Sequence, residues 1–398
     1  MEHAYDYLIV GAGMTADAAA RAIHENDPAA RIGIVGDEDR PPYERPPLTK
    51  ALWKADKPIE SIDLGTAASS GARLHLGLHL ETLDRDAHTL RDSRDDMFRY
   101  RRLLLATGAT PRRLPFATNE RVIAYRTLDD YLQLRRYAVA DAHIAVVGGG
   151  FIGSEIAASL AGVGCKVTMF FPGEAIGAGR YPPALAGFLN AYFRERGVEV
   201  RSGVKVVDGK SNPHNVELAL SDGATMVVDA VVAGLGVTPN VMLAENAGLN
   251  VDNGIVVDEQ LRTSDADIWS AGDVANFHSA VLDRRLRVEH ENAAISMGHH
   301  AGRAMTGVAE AYTTLPFFYS DLFDLGYEAV GLLDDQLDIV EDWTQPYREG
   351  VVYYLDGSRV RGVLLWNVWG QVDAARDLIA DSRPHDADSV RGRLPRPV

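Results

Sequence analysis

The stretch LIVGAGMTADAA at Leu8–Ala19 is matched in kind by VVGGGFIGSEIA at Val146–Ala157. Each is a short apolar run, then glycines, then a small-residue stretch of helical periodicity. Such a chain commits to a strand that turns sharply into a helix, because the first glycine enters a turn that other residues adopt only under strain. After the first copy, MTADAAARAIHE predicts a helix with small residues on one side, and ARIGIVGDED predicts a second strand ending at Asp37. The second copy keeps the same order in AHIAVVGGG, FIGSEIAASLAG and CKVTMFFPGE. Gly148 follows Gly11 by 137 residues, so one strand–helix–strand unit is duplicated rather than repeated as a solenoid.

Within the copies, Gly11, Gly13 and Ala16 match G-x-G-x-x-A, and Gly148, Gly150 and Gly153 match G-x-G-x-x-G. The first position allows the turn, the second lets a pyrophosphate approach the backbone, and the small third position lets helix and strand pack closely. Free N–H groups and the dipole of the helix N-terminus then favour a diphosphate. Asp37, 26 residues after Gly11, is placed to bind ribose hydroxyls. Glu174 stands at the same distance from Gly148, but aligning the strands instead puts Pro172 at the position of Asp37. Glu174 is therefore either a ribose ligand or a solvated loop acid. Lys166 and Arg180 are the main positive side chains nearby, which favours NADH over NADPH. Two such sites are read as FAD in the first and NADH in the second. Hydride transfer between them needs alignment and electrostatics rather than a nucleophile.

The bulk properties agree with an enzyme of this kind. A length of 398 residues with 46% hydrophobic content supports two or three cores. Cys165 is the single cysteine, which excludes an internal disulfide couple. A net charge of −16 argues against nucleic acid as a partner. No apolar run reaches the roughly 20 residues of a membrane span. The first residues do not resemble a signal segment, so a cytoplasmic protein is expected. YRRLLLATGATPRRLP reads as a buried strand, a turn and a linker. ADIWSAGDVANF reads as a strand with Asp273 just past its end, and a helix is expected over roughly His290–Met305. Beyond Tyr312 the texture changes to short strands, with a hairpin turn at Asp356-Gly357 and a closing helix in VDAARDLIAD. The expected class is α/β, with two Rossmann-like domains and a C-terminal α+β domain. FAD binding is assigned to residues 1–112 and 241–311 and NADH binding to 113–240. The C-terminal domain is 312–398, with a flexible tail from Arg383 through Pro384, Pro395 and Pro397.

PPYERPPLTKALW at Pro41–Trp53, LLLATGATPR, VVGGGFIGSE, GLGVTPN and IWSAGDVANF, in that order, resemble the two-dinucleotide flavoprotein reductases. Within these, the chain is similar to the NADH-dependent ferredoxin and rubredoxin reductases. RVEHENAA, FFYSDLFDLGYEAVGLLD and GVVYYLDGSRVRGVLLWNV resemble apoptosis-inducing factor and its bacterial relatives. The resemblance implies that Asp273, Thr107, Gly108 and Arg45 contact FAD, and that Gly236 lies at a cofactor. It implies Lys50 beside the flavin N5, Glu155 paired with Lys50, Phe151 flanking the nicotinamide and His290 beside the isoalloxazine. Tyr319 stands where the family has tryptophan, which leaves less area to stack. Metal binding at His299 and His300 is not expected.

Glu155 falls in the first turn of the second helix, where an acid is also favourable on electrostatic grounds alone. The functional reading is that it keeps Lys50 charged and oriented. The first copy has Ala18 at the matching position. The resemblance implies electron transfer from NADH through FAD to a small iron–sulfur protein, such as ferredoxin or rubredoxin, or to a quinone, by a homodimer. The alternative is a redox sensor, in which NAD⁺ stays stacked on reduced FAD as a charge-transfer complex and alters dimerisation or partner binding.

Overall fold

The computed structural model describes residues 1–54, 57–116 and 119–394. The chain divides into two compact units. Unit 1 comprises Met1–Arg45, Pro58–Thr110 and Thr238–Pro316, and unit 2 comprises Pro46–Lys57, Pro111–Val237 and Phe317–Val398.

Unit 1 is built on a seven-stranded sheet. Its strands Arg73–Leu76, Ile32–Gly36, Glu2–Val10 and Met97–Leu105 are parallel neighbours, and Ile268–Ser270 pairs parallel with Met97–Leu105. The hairpin Leu80–Asp84 and Thr89–Asp92 completes the other edge. Leu8, Ile9, Leu103 and Leu104 are fully buried, as continuous apolar runs in a parallel sheet require. In register, Val10 pairs with Val35 and Leu105, so Gly11, Asp37 and Ala106 follow adjacent strand ends.

Helix Met14–Asn26 packs on helix Glu291–Met305 through its small residues. A Cβ on Gly298 would stand 2.3 Å from the Thr15 carbonyl oxygen, and one on Gly302 would stand 2.5 Å from that of Ala19. The two backbones are that close because neither helix carries bulk at the crossing. The observed second helix agrees with the expected His290–Met305, with His290 as its N-cap.

Unit 2 holds a five-stranded parallel sheet ordered Val198–Ser202, Lys166–Phe171, His143–Val147, Ala230–Ala233, Val122–Ala124. A three-stranded antiparallel sheet, Val206–Ser211, Val216–Leu220 and Thr225–Val228, accompanies it. The C-terminal antiparallel sheet runs Phe317–Leu322, Leu325–Gly331, Arg359–Trp366, Glu349–Asp356, Asp338–Gln345, followed by helix Val372–Ala380.

Two boundaries differ from the sequence reading. Pro46–Lys57 lies in unit 2 because its backbone carbonyls are taken there: Leu48 accepts from Tyr125 and Trp53, and Leu52 accepts from the Tyr131 hydroxyl at 2.7 Å. Tyr312–Pro316 stays in unit 1, where Tyr312 packs on Phe277 at 5.4 Å and its hydroxyl lies 2.8 Å from that of Ser296. The expected flexible tail is corrected as far as Leu394. A capped helix, Ala387–Val390, forms there; Val390 and Leu394 are buried, and the Gly392 N–H donates to Asp342 at 2.8 Å. Pro395 and Pro397 lie outside the described residues.

Gly298→Val should destabilise unit 1 by about 1–3 kcal/mol through overpacking, seen as a lower urea midpoint. An unchanged midpoint would show that the helix crossing yields freely. A second expectation concerns His75, whose Nε2 is 2.6 Å from the Tyr5 hydroxyl. Burial, with help from His3 and Arg73, lowers its pKa from 6.5 to about 4. The unfolded chain therefore binds the extra proton between those values. This contribution is complete above pH 6.5 and is lost as pH falls towards 4. In urea titrations His75→Gln should lose less stability than the parent across that window, and identical pH slopes would refute the assignment.

Candidate functional site

The two glycine turns have the same construction. Gly11 has φ +110°, and a Cβ there would lie 2.0 Å from the Ala106 carbonyl oxygen. Gly148 has φ +126° and would meet the Gly234 carbonyl at 2.2 Å. Both positions are closed to any side chain. The second glycines are the opposite: around Gly13 and Gly150 a Cβ would meet nothing within 4 Å. Each caps a helix, of 13 and 12 residues, in extended conformation and without a side-chain cap. The third positions are tight again. Ala16 is fully buried, and a Cβ on Gly153 would lie 2.0 Å from the Gly148 carbonyl. A bare turn, an open space and a helix N-terminus form a cradle that fits a dinucleotide pyrophosphate.

In unit 1, Asp37, the acid expected to bind ribose, directly follows the strand Ile32–Gly36. The Asp37 side chain is 71% exposed and lies 3.1 Å from His79. Its neighbour Glu38, not singled out in the sequence, accepts from Tyr43 at 2.6 Å and pairs with Arg45. Glu38 thus orients Arg45, and its position one residue past Asp37 was the available signal. Thr107 and Gly108 form a turn closed by Asn240, whose side chain donates to the Thr107 carbonyl at 2.8 Å and whose N–H donates to Gly108 at 3.0 Å. Asp273 sits in the short turn Gly272–Val274 after the strand Ile268–Ser270, and its carbonyl accepts from Arg287. His290 is half-buried at the start of its helix.

In unit 2 the structure brings Lys50 and Glu155 together. Lys50 Nζ is 2.7 Å from Glu155 Oε1, with the two side chains only 13% and 5% exposed. A buried charge requires a partner, and this one has three donors. Ser320 donates to Oε1 at 2.6 Å and Thr49 donates to Oε2 at 2.5 Å. Neither hydroxyl was anticipated, although each directly follows or precedes a residue that was. Lys50 Nζ also lies 5.1 Å from the centre of the Tyr319 ring. Phe151 opens the second helix, with Phe318 edge-on at 4.9 Å and the Arg180 guanidinium 4.6 Å from its ring centre. Glu174 is an exposed loop residue whose carbonyl accepts from Asn190, and Gly236 holds a left-handed turn at φ +79° with open space around it.

Cys165 is buried with Sγ 3.5 Å from the Val139 carbonyl, and burial raises its thiol pKa. It is therefore a core residue rather than a nucleophile. Among the described residues no cluster of His, Cys, Asp or Glu is arranged to hold a metal, and no helix is long and apolar enough to cross a membrane.

These geometries separate structural from ligand-facing glycines. Gly150→Ala should leave the thermal midpoint within about 2 °C while weakening NADH binding about tenfold, whereas Gly148→Ala should lower the midpoint strongly. Equal effects on both quantities in the two variants would refute the cradle.

The family model described as pyridine nucleotide-disulphide oxidoreductase matches residues 5–298. The model for the apoptosis-inducing factor C-terminus, mitochondrion-associated, matches residues 341–381. The ferredoxin–NAD(+) reductase component of the Burkholderia cepacia anthranilate 1,2-dioxygenase system is 32% identical, over 94% of this chain and 94% of that protein. A putative apoptosis-inducing factor 1 of Drosophila melanogaster is 30% identical over 96% of this chain, which spans only 64% of that protein. The solved covalent complex of putidaredoxin reductase with putidaredoxin superposes with a TM-score of 0.89 at 32% identity, covering 95% of this chain and 93% of that one. The disulfide in the family description has no counterpart in a chain with one buried cysteine. The chain belongs to the pyridine nucleotide-disulphide oxidoreductase family, and it is an oxidoreductase that uses NAD(H) and FAD.

Proposed function

We propose that unit 1 holds FAD at the Gly11 turn, that the Gly148 turn of unit 2 holds NADH, and that the electrons pass on to a ferredoxin or rubredoxin. The observation that carries this is the open cradle at Gly13 and Gly150, found once in each unit. In sequence terms the FAD-binding division is 1–112 with 241–311, the NADH-binding division is 113–240, and 312–398 is the C-terminal α+β division. Ferredoxin appears in the name of the Burkholderia relative, and putidaredoxin is the partner in the superposed complex. These support a small redox protein as acceptor.

Bound FAD would supply the chemistry of taking an electron pair as hydride and releasing electrons singly. The protein's part is positional and electrostatic. The helix N-termini at Met14 and Phe151 direct the positive ends of their dipoles at the two pyrophosphates. Arg45, held by Glu38, adds positive charge on the FAD side. Lys50 provides a cation where negative charge grows on flavin reduction, and Glu155 keeps that cation in place. Phe151, stiffened by Phe318 and Arg180, offers a flat apolar wall to the nicotinamide. His290 and the helix it opens direct a positive dipole end at the flavin.

In anaerobic stopped-flow mixing with NADH, Lys50→Ala should reduce its flavin at least about tenfold more slowly and at a lower midpoint potential. An unchanged rate and potential would remove Lys50 from the chemistry. With the parent protein, rapid reoxidation by an added ferredoxin fits the reductase. A long-wavelength absorbance that persists in air, with no turnover, would favour the sensor instead.

A further inference from the structure

The Glu155 carboxylate is gripped by more than its ion pair. Thr49 and Lys50 are chain neighbours, yet they take different oxygens: Thr49 donates to Oε2 and Lys50 lies on Oε1. Two adjacent residues on opposite oxygens fix the plane of the carboxylate. Ser320, from the C-terminal strand Phe317–Leu322, shares Oε1 with Lys50. Thr49, Glu155 and Ser320 are 5%, 4% and 1% exposed, so water cannot easily replace these donors. Each of the two residues is itself anchored. The Thr49 carbonyl accepts from Ser159 on the Glu155 helix at 2.7 Å, which ties the Lys50 segment to that helix. Ser320 is the cross-strand partner of Tyr327, whose hydroxyl accepts from Tyr181 at 2.7 Å. Burial raises the pKa of both phenols, so they stay protonated.

We propose that Thr49 and Ser320 are positioning residues for the Lys50–Glu155 pair, and that Ser320 makes the C-terminal sheet a contributor to the redox site. The inference rests on the reading of Lys50 given above. A buried carboxylate with a single cationic partner could turn about its own bond and carry the ammonium with it. Two hydroxyl donors on separate elements remove that freedom. Their contribution is to the placement of the Lys50 charge rather than to nucleotide binding.

The test uses the FAD-loaded protein in anaerobic stopped flow across NADH concentrations, which separates the limiting reduction rate from the NADH Kd. Thr49→Val and Ser320→Ala should each lower the limiting rate about tenfold, with Kd changed by less than about twofold. Thr49→Ser, which restores the hydroxyl, should recover most of the parent rate. In a Lys50→Ala background neither change should cost anything further, because the group they position is gone. If Ser320→Ala does not fold, Thr49→Val and Thr49→Ser carry the test alone. The proposal falls if both hydroxyl variants match the parent while Lys50→Ala is slow. It also falls if they cost as much on the Lys50→Ala background as in the parent, which would mark a purely structural role. If Lys50→Ala itself changes nothing, the reading of Lys50 fails and this proposal fails with it.

Discussion

A carboxylate removed from water must be compensated within the protein or it takes up a proton. At Glu155 the compensation comes from two separate stretches of chain, the Thr49–Lys50 segment and the strand that carries Ser320, which meet at the helix that carries Glu155. That requirement organises unit 2. It adds to the carbonyl contacts that hold Pro46–Lys57 in unit 2, and it gives the C-terminal sheet a polar group facing the second nucleotide helix. Removing only one partner would leave a buried charge short of a donor, which costs more than the bond itself contributes. The arrangement is thus specific because it is expensive to satisfy in part.

The glycine turns obey a different constraint, that of space. At Gly11 and Gly148 backbone meets backbone, and no side chain fits. At Gly13 and Gly150 nothing fills the volume, so glycine is not demanded there by packing within the chain. Open space beside a helix N-terminus, next to a turn closed by backbone, is what a pyrophosphate fits. The same contrast appears between the copies. The first helix is packed through Thr15, Ala18, Ala19 and Ala22 against Gly298 and Gly302, so it has no room for an acid at Ala18. The second helix carries Glu155 at that position and meets donors there instead.

Much of the fold was legible in the residues because it rests on local physics. Positive-φ glycines after apolar runs announce strand-to-helix turns, and the Asp356-Gly357 turn announces the hairpin between Glu349–Asp356 and Arg359–Trp366. The sites were less legible. Counting from Gly11 leads to Asp37, and the structure adds its neighbour Glu38, which accepts from Tyr43 and pairs with Arg45. That pairing joins residues five and seven apart in a loop, where no periodicity announces it. The tail from Arg383, rich in proline and charge, reads as flexible, yet Val390 and Leu394 bury enough apolar surface to hold it down as far as Leu394.

By itself, then, the sequence determined the number of nucleotide turns, their order, and the alternation of parallel strand and helix around them, since each follows from residues close together in the chain. Lys50 and Glu155 are 105 residues apart, and Ser320 is a further 165 beyond Glu155. No periodicity or spacing relates them, and resemblance alone suggested the first pair. Only the tertiary structure decided that these groups share one buried carboxylate, because the cost that unites them, the desolvation of a charge, exists only once the chain has closed around it.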